Sequence, residues 1–259
     1  MVEVDNPLDD VAAPPRRILV CGVNWLGDAI LSMPALQAFR YENPAAELTL
    51  LVKPGIAPLW AMHAGPSRVL TLEPGRLLQT ARAVRDLGFD VAYVLPHSFR
   101  SALIPWLGRI PARIGLPGHF PRDFLLTEVR RPADGPGREH QVFEYLDLFF
   151  PGVNRRTFVP PALAVPPPVL EAMHGKLDSL PKPWISLLPG AALGTPLVGL
   201  FGITNPGQTG PLGKHVRILQ QSERRTRDVS RHSREARRAL RAISVDDAVR
   251  ALLPLLRKP

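Results

Sequence analysis

Residues 17–40, RILVCGVNWLGDAILSMPALQAFR, decide the fold. The apolar run Ile18 to Cys21 reads as a buried strand. It ends at Gly22, crosses Val23-Asn24-Trp25-Leu26-Gly27, and enters a helical apolar pattern at Asp28. A strand, a glycine-flanked turn and a helix start form half of a βαβ unit. Open α/β sheets hold ligands at the carboxyl ends of their strands, so this turn is the expected active-site edge.

The spacing Gly22-x4-Gly27 invites a phosphate-loop reading, which fails because Asp28-Ala29 stands where that loop carries Lys-Ser/Thr. A carboxylate at a helix start repels phosphate. The partial positive charge of the helix N-terminus instead stabilises the ionised carboxylate. Asp28 is then a permanently charged acceptor, suited to take a proton from an attacking hydroxyl. On spacing alone, an ordinary N-cap or first-turn acid is the alternative reading.

Outward from this stretch the chain alternates strands and helices. LTLLVKP (48–54), RVLTL (68–72) and FDVAYVLP (89–96) are expected strands, the last nearly continuous in apolar residues, as in a parallel sheet covered on both faces. Helices are expected from Arg76 to Leu87, from a cap at Ser98 through Leu107, and from Glu139 to Phe149. ARIGLPG (112–118) and FLLTEV (124–129) read as extended. This pattern implies one doubly wound α/β domain over 16–150, behind a disordered lead-in at 1–15. Residues 151–183 are Pro-rich and read as a linker with a helix at 168–180. A second, shortened domain then covers 184–259, with strands at WISLLPG (184–190), PLVGLFG (196–202) and VRILQQ (216–221) and an amphipathic helix at 245–256. Only Ala191 to Thr195 separates the first two of these strands, too few residues for a parallel crossover.

The 259 residues carry a net charge of +9, and residues 214–241 hold ten Lys/Arg against three acids. The rest of the chain is nearly neutral, so the basic character belongs to one segment. That segment could bind nucleic acid or anionic lipid, but it has no aromatic residue for base stacking and reads as a solvated, partly disordered face. The single cysteine, Cys21, excludes an internal disulfide and a cysteine zinc site. The acidic start lacks a signal-peptide core, and no apolar run reaches a membrane span. A cytoplasmic protein is expected, peripheral on the inner face of a membrane at most. The histidines show no metal spacing and there is no Asp-x-Asp, so no metal or cofactor is expected.

Three further turns carry candidate chemistry. His97-Ser98-Phe99-Arg100 ends the strongest strand on the edge that holds Asp28, and Arg100 there meets an anionic substrate or is a solvated helix residue. Pro189-Gly190-Ala191-Ala192 lets backbone N–H groups approach a phosphate or is an ordinary turn. Gly202-Ile203-Thr204-Asn205-Pro206 is similar.

Taken together, ILVCGVNWLGDAILSMPALQAFR (18–40), LTLLVKPGIAPLWAMHAG (48–65), HSFRSALIPWLGRIPARIG (97–115) and LVGLFGITNP (197–206) resemble the heptosyltransferases of glycosyltransferase family 9. The NWLGDAILSMPAL block is the most specific part. The resemblance implies a GT-B architecture of two Rossmann-like domains, complete in the N-terminal half and truncated in the C-terminal half. It implies inverting transfer of L-glycero-D-manno-heptose from ADP-heptose to the first heptose of the lipopolysaccharide inner core. It places the catalytic base on Asp28 and acceptor contacts on Asn24, Trp25, Gly27, Ser98 and Arg100. The nucleotide sugar falls to Gly190, Ala191 and Ala192. In the family, a basic stretch, several βα units and a nucleotide-sugar loop follow the PGAA turn. Here Ala192 runs directly into Leu193-Gly194-Thr195-Pro196, as in an internally deleted member that keeps only the acceptor domain intact.

Overall fold

A computed structural model describes residues 17–132, 140–153, 157–178, 196–212, 215–222, 229–230 and 233–256. The chain divides into two compact units, 1–166 and 167–259.

The first unit is a six-stranded parallel sheet. Its strands are β1 (Arg17–Cys21), β2 (Glu47–Val52), β3 (Arg68–Thr71), β4 (Val91–Val94), β5 (Ala112–Gly115) and β6 (Glu128–Val129). Their spatial order is β3-β2-β1-β4-β5-β6. The order reverses between β1 and β4, which pair in register from Ile18↔Val91 to Cys21↔Val94. The helices are α1 (Leu26–Glu42), α2 (Ala57–Ala61), α3 (Leu77–Leu87), α4 (Phe99–Leu107) and α5 (Gln141–Phe149).

The two-residue period of a strand sends alternate side chains to opposite faces. On one face Leu19, Cys21, Ala92 and Val94 pack with Val84 of α3 and with Ala102 and Ile104 of α4. On the other, the Tyr93 ring meets Phe39 of α1 at 5.7 Å and Phe149 of α5 at 4.4 Å. All four residues of β4 are buried, so the continuous apolar run reflects cover on both sides.

Three elements differ from the sequence reading. Helix α1 begins at Leu26, two residues before Asp28, behind Trp25, whose side chain makes no capping bond. Residues Arg122–Leu125 form a 3-10 turn instead of extended chain, leaving only β6 as strand. The cause is local: Asp123 accepts two hydrogen bonds from Gly118 N–H, and the neighbouring Arg122 guanidinium is buried. Residues 157–166, the Pro-rich start of the expected linker, pack on the first unit. Ala164 N–H donates to Met62 O at 2.8 Å, and Leu163 bridges His63.

His63 sits under that segment with its ring edge-on to Trp60 at 5.4 Å. Its Nδ1 accepts from Gly65 N–H at 3.0 Å. Burial pushes its pKa down from 6.5 to about 4. The neutral ring is the favoured form, so the associated stability is complete above the unfolded value and lost as pH falls from about 6.5 to about 4. The loss is about 2–3 kcal/mol. Urea midpoints at pH 7 and 4.5 for the wild type and His63→Gln isolate it, because the variant lacks that drop.

The second unit contains α6 (Pro167–Asp178), β7 (Leu197–Phe201), α7 (Pro206–Thr209), β8 (Val216–Gln220), α8 (Arg234–Arg241) and α9 (Val245–Leu256). Strands β7 and β8 are parallel. Gln220 Nε2 donates to Gly202 O and Thr204 O at 2.8 and 3.0 Å, fixing the turn after β7. Ile203, Val229 and Ala236 form a small core. The expected strand at 184–190 lies outside the described residues. Within the basic segment, Ser233 Oγ accepts from Ala236 N–H and caps α8, whose four arginines are all exposed.

Candidate active site

The reversal of strand order creates the crevice in which such sheets hold ligands. The last ladder bond between the two central strands runs from Leu95 N–H to Cys21 O at 3.1 Å. Beyond it the chain turns into α1 from β1 and into α4 from β4, on opposite faces of the sheet.

Gly22 is required here by close approach. A Cβ on it would stand 2.6 Å from Val52 Cγ1 and 3.1 Å from Leu50 Cδ1. Gly27 is the reverse case, with nothing within 4 Å of a built Cβ. Gly22→Ala should cost about 1–3 kcal/mol by overpacking. Gly27→Ala should leave stability unchanged or raise it by up to about 1 kcal/mol. Thermal denaturation of the two variants makes the comparison.

Asp28 is the third residue of α1 and is partly buried. Close by in α5 is Tyr145, buried in the core, whose phenol oxygen accepts from Gln141 Nε2 at 2.8 Å. Burial chiefly, and then the negative charge of Asp28, push the Tyr145 phenol well above its ordinary pKa. Tyr145 therefore stays protonated throughout the working pH range and adds no competing charge beside the carboxylate.

Asn24 is half-buried in the turn after β1, while Trp25 is 77% exposed and Gly27 is exposed. Across the crevice, Ser98 is the cap of α4 and accepts from Ser101 N–H at 3.4 Å. Arg100 is exposed in the first turn of that helix. Asn24, Trp25, Gly27 and Asp28 thus share one edge with Ser98 and Arg100. Gly190, Ala191 and Ala192 lie outside the described residues. Cys21, beneath the crevice, is no nucleophile, since burial pushes its thiol up to about 12.

Sequence reasoning missed the residue that holds this edge together. Arg122 is fully buried. Its guanidinium donates to Leu116 O at 2.7 Å, Pro96 O at 2.8 Å and Val94 O at 3.3 Å, and pairs with Asp123 at 2.8 Å. His97 Nδ1 meets Pro117 O at 2.8 Å, a second tie between the same two loops. Burial pulls the Arg122 pKa down and Asp123 opposes that shift; an arginine stays charged even so. Its position in a loop without regular periodicity carried no signal. Among the described residues no group of three or more His, Cys, Asp or Glu could hold a metal ion.

The chain matches the model of glycosyltransferase family 9 (heptosyltransferase) over residues 77–192 and 189–238, more than half its length. The chain belongs to glycosyltransferase family 9. The two matched pieces meet at 189–192, where PGAA adjoins LGTP. Family 9 relatives include lipopolysaccharide heptosyltransferase 2 of Escherichia coli, 28% identical over 197 residues, 69% of this chain and 55% of that protein. The lipopolysaccharide heptosyltransferase 2 of Salmonella typhimurium is 31% identical over 121 residues, 44% of this chain and 34% of that protein. The chain therefore spans about half the length, or less, of these curated relatives. The solved structure of Escherichia coli ADP-heptose lipopolysaccharide heptosyltransferase II shares the fold, with a TM-score of 0.71 at 20% identity, across 93% of this chain and 98% of that one.

Proposed function

We propose that this family 9 chain transfers L-glycero-D-manno-heptose from ADP-heptose to the first heptose of the lipopolysaccharide inner core, with inversion. Asp28 is the general base. It takes the proton of the acceptor hydroxyl as that oxygen attacks the anomeric carbon. The bond from that carbon to the ADP oxygen breaks on the opposite face, and ADP leaves with the electron pair. One carboxylate suffices for such a displacement. The observation that carries this reading is the position of Asp28 in the first turn of α1, at the point where strand order reverses.

Asn24, Trp25, Gly27 and Ser98 line the acceptor side, and Arg100 meets an anionic group of the acceptor. Gly190, Ala191 and Ala192 approach the diphosphate of the donor. The acceptor is lipid-linked, so the enzyme works from the cytosolic side as a peripheral protein. No described helix is long and apolar enough to cross a membrane.

The junction Ala192-Leu193 favours a second reading, an acceptor-binding remnant without a donor site. Calorimetric titration of the full chain with ADP separates the two. Saturable heat supports the transferase. Absence of binding supports the remnant.

A further inference from the structure

The loops at the carboxyl edge of the first sheet carry exposed cations and exposed rings along its width. In spatial order, Arg76 follows β3, Lys53 follows β2, Trp25 follows β1, Arg100 follows β4, and Phe120 and Phe124 follow β5. All six side chains are exposed. Exposed Arg131 follows β6 at the far end, and among the described residues of these loops Glu73 is the exposed acid, so exposed rings stand among cations along the edge.

The aromatic pair on the β5 loop departs from ordinary surface chemistry. Phe120 is 84% and Phe124 77% exposed, and their rings pack on each other edge-on at 5.6 Å. The loop beneath them is anchored by hydrogen bonds and an ion pair. Gly118 N–H is held by both Asp123 carboxylate oxygens, Asp123 pairs with Arg122, and Arg122 is anchored to the carbonyls of Leu116 and Pro96. Two rings held out in water on a buried ionic anchor mark a contact site. Rings beside cations suit a phosphate-bearing interface with hydrocarbon behind it.

We propose that this rim docks the first unit on an anionic lipid bilayer. Phe120 and Phe124 enter the headgroup–acyl boundary, and Lys53 and Arg76 meet lipid phosphates. Asp28 follows β1, between these two groups, so docking presents a membrane-held acceptor to the base; this purpose, unlike the binding itself, rests on the function proposed above.

The test is co-sedimentation of the full chain with phosphatidylcholine vesicles, with and without phosphatidylglycerol and free of any saccharide acceptor. Three proteins are compared: wild type, F120S/F124S, and R234Q/R237Q/R238Q/R241Q, which neutralises the separate basic helix α8. The wild type should bind the anionic vesicles. F120S/F124S should lose about tenfold or more of that binding, as two aromatic side chains stay in water, with an unchanged melting temperature. Undiminished binding by F120S/F124S, or binding lost entirely with the α8 arginines, overturns the proposal. So does a lowered melting temperature in F120S/F124S, which marks a rim covered by protein. Transfer to a deacylated, water-soluble acceptor should be equal for wild type and F120S/F124S. If neither transfers, the functional reading fails while the vesicle result still decides the rim.

Discussion

Arg122→Met should destabilise the first unit by about 2–4 kcal/mol, the cost of leaving buried carbonyls without a donor and of removing the partner of the half-buried Asp123. The guanidinium supplies donors to three buried or half-buried carbonyls, of Leu116, Pro96 and Val94. Methionine fills part of the volume and satisfies none of them. The loss falls where the chain leaves β4 and β5, so Ser98 and the Phe120 loop lose their common anchor. Arg122→Lys keeps the charge but not the planar fork, and should restore less than half of the stability. Urea denaturation followed by tryptophan fluorescence measures both. A change below about 1 kcal/mol in Arg122→Met would show that water replaces the guanidinium at little cost.

The second large effect is chemical. Asp28→Asn should lower heptosyl transfer by about 10²–10⁴-fold, the range for loss of a positioned general base. Asparagine has nearly the same shape, and Asp28 is only partly buried, so the melting temperature should hold. Binding of ADP should hold as well, because the base acts on the acceptor and not on the leaving group. A fall in KM-dependent terms alone would make Asp28 a binding residue.

Much of this architecture was legible in the chain, for physical reasons. β1 and β4 are buried on both faces, so their apolar runs were unbroken. Ser98 is a capping residue type at a helix start, and its side chain accepts from Ser101 N–H. The start of α1 was misplaced by two residues because Trp25 gives no capping signature. The 157–166 stretch looked like a linker from its prolines, yet it is tied down by partners such as Met62 and Gln37, about a hundred residues distant in sequence. Arg122 was invisible for a similar reason. Nothing in the loop around it tells a solvated arginine from one that sits at zero exposure beneath a crevice. At the site, the carboxylate at the helix start was legible from spacing alone, whereas Tyr145 and Gln141 come from a helix more than a hundred residues downstream.

Heptosyl transfer by this chain and a base at Asp28 are joined in one measurement. The full-length wild-type chain and Asp28→Asn are each incubated with ADP-heptose and an inner-core acceptor bearing a single heptose, and the acceptor is followed by mass spectrometry. The account predicts one added heptose with the wild type and none detectable with the variant at the same enzyme concentration. Transfer by Asp28→Asn at the wild-type rate, or no transfer by the unaltered chain, contradicts it.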